Sequence, residues 1–364
     1  MGMDPSLQYA TTADGVSIAF WTLGDGEPLV YLVGGPWNHV ELWEIPECRS
    51  WYERLARDRM LVRYDVRGTG LSEREVTDFS LDARVLDLEA VLDRLGVDRF
   101  NLFAAAEAGA VAITYAVRHP ERVSRLLLWC SWARGADTHS PRIRAWRGLI
   151  DQDWELMTDT CVQIALGWSG GDIARSAAEH LRESVTRDAA KASLAAADTD
   201  DVTALLQRVR QPTLVLHRRQ LQSLPVDIAR GLASRIPGAR LVLLEGESTA
   251  PYLGDTEGTA QAIEEFLDTE DSPRVQDGHR VPRSSSIEPQ TEPEPPRPVA
   301  SDGLTAREIQ VLRLVAGGQT NREIAGELVL SVKTVDRHIA NIYGKIGARG
   351  RADATAYALT RALV

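Results

Sequence analysis

The sequence predicts an α/β fold built on a mostly parallel sheet, followed by a small, separate all-α module. Three observations predict it. Between residues 8 and 134, strand-like and helix-like segments alternate, the pattern of a sheet with helices on both faces. Residues 269–300 hold seven prolines, together with Ser284-Ser285-Ser286 and Glu292-Pro293-Glu294-Pro295-Pro296. Such a segment cannot bury enough apolar surface to offset its ordering entropy, and it reads as a linker with a reach of roughly 30 Å or more. Beyond it, residues 304–346 show repeated helix-start signatures and an apolar face at helical spacing.

Taken in order, residues 16–21 and 28–33 predict strands, and 60–65 another. A helix follows over about 82–95. Residues 101–104 predict a short buried strand, then a helix to about His119, then a strand over 125–130. Residues 136–210, between two core strands, predict a helical cap carrying Trp146, Trp154, Met157 and Trp168. The expected organisation is 1–268, a linker over 269–300, and 301–364, with no internal repeat.

The chain carries a net charge of −11, unevenly spread. Residues 301–364 have nine Lys/Arg against six Asp/Glu, or +3, which leaves −14 for the rest. Any contact with DNA would therefore be confined to that tail. The three cysteines, Cys48, Cys130 and Cys161, are odd in number and unpatterned. That fits a reducing cytoplasm, with no disulfide framework, metal site or cofactor expected. There is no apolar run long enough to span a bilayer and no signal-peptide pattern at Met1-Gly2-Met3-Asp4, so no membrane partner is expected.

Four motifs then carry a resemblance. Asp65-Val66-Arg67-Gly68-Thr69-Gly70-Leu71-Ser72 is similar to the D-x-R-G-x-G-x-S turn of α/β-hydrolases. His119-Pro120-Glu121-Arg122-Val123 resembles the H-P-E-R-V after their elbow helix. Pro212-Thr213-Leu214-Val215-Leu216-His217 resembles the strand that delivers the acid. Gly34-Gly35-Pro36-Trp37 lies where the oxyanion loop falls, its histidine replaced. The resemblance covers about 8–268 and implies an α/β-hydrolase-type sheet with a helical cap.

The same resemblance implies a catalytic triad, and none of its positions holds a catalytic residue. The elbow Phe103-Ala104-Ala105-Ala106-Glu107-Ala108-Gly109 has Ala106 where G-x-S-x-G places serine. The acid position in His217-Arg218-Arg219-Gln220-Leu221-Gln222-Ser223-Leu224-Pro225 is Leu221, and the histidine position in Gly246-Glu247-Ser248-Thr249-Ala250-Pro251 is Thr249. A serine nucleophile needs a base, and the base an orienting acid. Ser131, Ser248 and His39 are spare polar groups, but none sits in an elbow pattern.

What remains is a cavity at the carboxyl ends of the strands, beneath the cap. The implied ligand-binding residues are Gly35, Pro36, Trp37, Ala106, Glu107, Trp132, Leu221 and Thr249. The tryptophans read either as ligand contacts or as cap–core packing. Glu107 reads either as the cavity's main charged group or as a solvated helix-start glutamate favoured by the dipole.

Residues 304–362 resemble a LuxR-type helix-turn-helix. The match runs through Leu304-Thr305, Glu308, Val311-Leu312, Gly318-Gln319-Thr320-Asn321-Arg322-Glu323-Ile324-Ala325, Leu328, Ser331-Val332-Lys333-Thr334-Val335-Asp336-Arg337-His338 and Asn341-Ile342. Thr305 with Glu308, and Thr320 with Glu323, form capping boxes, and Ser331 caps a third helix. On that helix Val335, Ile339, Ile342 and Ile346 share one face and His338 lies at its edge, read as packing. The opposite face is suited to a major groove. Arg337 is the expected base reader. Lys333, Thr334, Asn341 and Lys345 are expected on phosphates, and Asp336 on a cytosine or against wrong sites. Arg349 and Arg351 read as solvated charges.

The leading function is a DNA-binding transcription regulator whose non-catalytic first domain senses a small, largely apolar ligand. Its partners would be a two-fold repeat operator, a second copy of the chain and that ligand, with RNA polymerase a further candidate. Two alternatives are a regulator whose first domain is only a dimerisation or partner scaffold, and a DNA-tethered hydrolase with a non-standard site.

Overall fold

The computed structural model describes residues 5–34, 40–166, 171–269, 304–316, 319–328, 330–346, 348, 354 and 358. The chain divides into two compact units, Met1–Arg274 and Val275–Val364.

The first unit is built on eight strands: β1 (Gln8–Thr11), β2 (Ser17–Leu23), β3 (Glu27–Val33), β4 (Arg59–Tyr64), β5 (Phe100–Ala105), β6 (Val123–Trp129), β7 (Thr213–Arg218) and β8 (Arg240–Leu244). Their order across the sheet is β1-β2-β4-β3-β5-β6-β7-β8. β2 pairs antiparallel with β1 and β4, and every other pairing is parallel. The mostly parallel α/β fold read from the alternation is thus the observed one.

The central strands are apolar on both sides because helices cover both faces. Along β5, Leu102 and Ala104 turn to one face and Phe103 and Ala105 to the other, the period of two of a pleated strand. On the first face α2 (Leu81–Leu95), α3 (Ala108–Arg118) and α8 (Val226–Arg235) bury Val85, Leu88, Ile113 and Leu232. On the second, α1 (Pro46–Leu55) and α9 (Thr256–Leu267) bury Trp51, Tyr52, Ile263 and Phe266. α2 starts where the Ser80 side chain accepts from the Ala83 amide and ends at Gly96, at φ +65°.

The Asp65–Ser72 turn is structural. Asp65 is fully buried and accepts from the Leu71 amide at 2.8 Å. Gly70 sits at φ +54°, and a Cβ there would collide with the Asp65 carboxylate. Arg67 is buried between Asp87, at 2.9 Å, and Asp14, at 2.7 Å.

Between β6 and β7 lie the cap helices α4 (Pro141–Gly148), α5 (Trp154–Leu166), α6 (Gly171–Ser184) and α7 (Arg187–Thr199). They close around Met157, Leu181 and Leu194. Arg84 on α2 reaches Asp200, just after α7, at 2.6 Å, with both side chains buried.

The second unit contains α10 (Ala306–Ala316), α11 (Asn321–Glu327) and α12 (Val332–Ile346). Val311, Leu312 and Val315 of α10, Ile324 of α11, and Val335, Ile339 and Ile342 of α12 form its core. Both expected capping boxes are present: Thr305 accepts from the Glu308 amide while Glu308 accepts from that of Thr305, and Thr320 and Glu323 repeat the exchange.

Candidate functional site

β5 delivers the chain into a sharp turn at Ala106, which takes φ +52° before α3 begins. A residue with a Cβ rarely adopts this left-handed conformation, at a cost of about 1–2 kcal/mol. The turn is held from behind, where the Ala106 amide donates to the Trp129 carbonyl at 2.9 Å. The backbone of a nucleophile elbow is therefore kept, with a methyl group in place of the nucleophile.

Ala106 forms part of the wall of a cavity of about 170 Å³. Glu107, Trp132 and Thr249 line it too, so four of the expected residues come together. Leu221 does not join them. It is buried in the apolar cluster on the α1/α9 face, and Ser223 and Leu224 of the same loop reach the cavity instead. Gly35, Pro36, Trp37, His39 and Trp168 lie outside the described residues.

The cap supplies the rest of the wall. Trp146 lines the cavity, and its indole N–H donates to the Met157 carbonyl at 2.9 Å. Met157 and Trp154 pack inside the cap. Sequence reasoning missed Cys130, Cys161 and Arg147. Cys161, Ile164 and Ala165 occupy successive positions of one face of α5, a spacing that was available in the sequence.

Thr249 has a different task from a catalytic base. Its amide and hydroxyl donate to the Ala165 carbonyl at 2.8 and 3.1 Å, and the Ser248 hydroxyl donates there at 2.9 Å. Trp129 Nε1 donates to the Thr249 carbonyl at 2.6 Å. The loop at the histidine position thus ties the end of α5 to the core.

Proton chemistry has few candidates here. Burial pushes the Cys130 thiol up to about 12. Cys161 is pushed up as well, by burial first and by the charge of Glu107 second. Both thiols stay protonated at neutral pH and are poor nucleophiles. Ser131 is buried, and its hydroxyl donates to the carbonyls of Ala104 and Trp129 at 3.3 and 3.2 Å. No histidine is among the described lining residues. His217 is buried on β7 with its ring Nδ1 2.7 Å from the Arg218 carbonyl oxygen, and burial lowers its pKa. Glu107 is 6% exposed, which removes the solvated reading of this residue.

In the second unit α12 exposes Lys333, Asp336, Arg337 and Asn341 opposite the buried Val335, Ile339 and Ile342. The hydroxyls of Thr334 and Ser331 lie 2.7 Å apart at the helix start. Asp336 accepts from the Asn321 side chain of α11 at 2.7 Å, which links the two helices. Lys345, expected on a phosphate, instead meets the buried Glu308 at 2.7 Å and pulls that carboxyl down to about 2.

Two family patterns match this chain. The one described as bacterial regulatory proteins, luxR family, covers residues 302–358, and the alpha/beta hydrolase fold covers residues 27–184. The pimeloyl-(acyl-carrier protein) methyl ester esterase of Nitrosomonas europaea is 30% identical over 256 residues, 65% of this chain and 94% of the relative. The HTH-type transcriptional regulator MalT of Cronobacter sakazakii is 27% identical over 308 residues, 70% of this chain and 33% of that protein. A solved hydrolase from Pseudomonas aeruginosa PA01 aligns with a TM-score of 0.63 at 22% identity, over 72% of this chain and 99% of its own, a likeness of fold alone. Among the described residues no helix is long and apolar enough to cross a membrane.

Proposed function

We propose, for a chain whose residues 302–358 match the luxR family of bacterial regulatory proteins and whose residues 27–184 match the alpha/beta hydrolase fold, that the hydrolase-fold unit is a receptor and not an enzyme. One observation carries this reading: the elbow keeps its strained backbone at Ala106 while the side chain has no atom that can attack a carbonyl. Around it, Thr249 is committed to the cap and Leu221 to the core. A pocket that has lost nucleophile, base and acid but kept a largely apolar volume is suited to binding without turnover.

The working parts in this reading are a receptor over 1–268 with its cap over about 136–210, a linker over 269–300, and a DNA-binding module over 301–364. Two copies that dock their α12 helices on one side of the duplex would read a two-fold repeat with half-sites about one helical turn apart.

The wild-type protein should give no burst of leaving group from an activated ester. Ala106→Ser alone should not restore turnover, because no base accompanies it. Ala106→Trp should fill the cavity and abolish ligand-dependent change in operator binding, with operator binding itself retained. A burst traced to a covalently labelled cavity residue would overturn the non-catalytic reading. A folded Ala106→Trp variant with a normal response would overturn the cavity as the receptor site.

A further inference from the structure

We infer that Asp336 reads a cytosine in the operator, and that Asn321 of the neighbouring helix α11 is the positioning residue that makes it able to. Both roles belong to the DNA-binding module alone and stand whether or not the first unit is a receptor.

Lys333, Asp336, Arg337 and Ala340 are all exposed and fall at i, i+3, i+4 and i+7 of α12, one continuous stripe of the helix surface. Val335, Ile339 and Ile342 are turned into the core instead. Ala340, and Gly344 one turn further on, leave room for the stripe to come close to base edges. Asp336 therefore shares the surface of Arg337, and a carboxylate there meets the same groove. A lysine and an aspartate at i and i+3 are within reach of each other on a helix. Lys333 and Asp336 do not pair, and neither do Asp336 and Arg337. The Asp336 carboxylate accepts from the Asn321 side-chain amide at 2.7 Å, and that neutral group is its partner among the described residues. The bond uses Oδ1 and leaves Oδ2 to accept from outside the chain.

The chemistry of that oxygen selects the base. An ionised carboxylate accepts hydrogen bonds and cannot donate them. In the major groove guanine offers the acceptors O6 and N7, thymine the acceptor O4, and adenine a donor beside the acceptor N7. Cytosine offers its N4 amino group and no acceptor. A fixed Oδ2 thus finds a donor without an adjoining acceptor only at cytosine, and it is repelled by guanine and thymine. The fixing matters because phosphates line both sides of the groove. A free carboxylate among them would turn toward Lys333 or Arg337 and cancel their charge. Held by a neutral amide of α11, it keeps its direction and leaves both cations to the DNA.

The test is selection of binding sites from a random duplex pool by the full-length protein and its variants, followed by competition titrations on the selected site. The wild-type site should contain a position where cytosine is required, and replacing that C·G pair should lower affinity by about tenfold or more. Asp336→Ala should lose that preference and keep those at other positions. Asp336→Asn should move it toward adenine, which an amide meets at both N6 and N7. Asn321→Ala, a change that suits a helix, should lose the same cytosine preference as Asp336→Ala. Arg337→Ala should relax a different position. A role for Asn321 in stability alone would instead weaken binding equally at every position. If Asp336→Ala keeps every preference, or weakens binding to all sequences alike, Asp336 is not a base reader. If Asn321→Ala keeps the preference that Asp336→Ala loses, the positioning role is overturned. A base other than cytosine at the position that depends on Asp336 overturns the choice of base. Asp336→Asn is isosteric and exposed, so it decides the reading even if an alanine variant fails to fold.

Discussion

Ala106 and Arg337 each sit at the site proposed for its unit, and they are built in opposite ways. Ala106 has an unusual backbone, at φ +52° and tied to Trp129, beneath a side chain with no chemistry. Arg337 has an ordinary helical backbone and an exposed guanidinium. In the first unit the site is a shape, held by buried contacts from elements far apart in the chain. In the second it is a row of charges carried on a helix that local capping and a small core suffice to place. The two units should accordingly fail in different ways: the first through loss of packing, the second through loss of exposed groups.

The largest expected effect falls on the buried ties of the first unit. Arg84→Ala removes the partner of Asp200, a carboxyl that burial already pushes upward against the pull of Arg84. Breaking a buried pair costs about 3–5 kcal/mol, and the lower end applies because the stranded aspartate can take up a proton. Thermal melting should show the first unit destabilised while operator binding in the cold is retained. Equal loss of both would mean that the units do not fail separately, and the comparison would break.

Smaller changes are expected on α12, and they should differ in kind. Arg337→Ala should relax sequence preference at a cost of about 1–3 kcal/mol per lost base contact. Lys333→Ala should weaken binding to all sequences and lower the slope of log affinity against log salt by about one. Titrations on matched and mismatched duplexes at several salt concentrations separate the two. A Lys333 variant that changed preference, beside an Arg337 variant that merely bound more weakly, would reverse the assignment.

The smallest effect concerns Lys345, which pairs with Glu308 at 2.7 Å. Its partner Glu308 is held at about 2 in the folded unit, below its ordinary value of 4.5. The stabilisation is therefore complete above about pH 4.5 and is lost as pH falls toward 2. Lys345→Met should lower the melting temperature of the second unit modestly near neutral pH and flatten its acid dependence. Unlike Lys333→Ala, it should leave the salt slope of DNA binding unchanged, and a shallower slope would return Lys345 to the phosphate contacts.

Much of this was legible in the residues. The strands from β2 to β6 fall within one or two residues of their predicted positions, because strong apolar alternation and short connections mark them. β1 was not predicted, being four residues at the sheet edge with a weak pattern. α1 was not predicted either, although Cys48, Trp51, Tyr52 and Leu55 repeat at helical spacing behind Pro46.

By itself the sequence determined what depends on neighbours along the chain. Capping at Thr305 and Thr320, the apolar stripe of α12 and the alanine at the elbow are all settled within a few residues. Tertiary structure decided which groups meet. It buried both Leu221 and Leu224 but put only Leu224 on the cavity wall, tied Thr249 to Ala165, brought Cys130 and Cys161 into one wall and paired Lys345 with Glu308. Those outcomes depend on side-chain directions in elements that pack together from positions distant in sequence. No local pattern encodes them, because propensity and capping act over a turn or two while packing selects among all the surfaces the fold brings together.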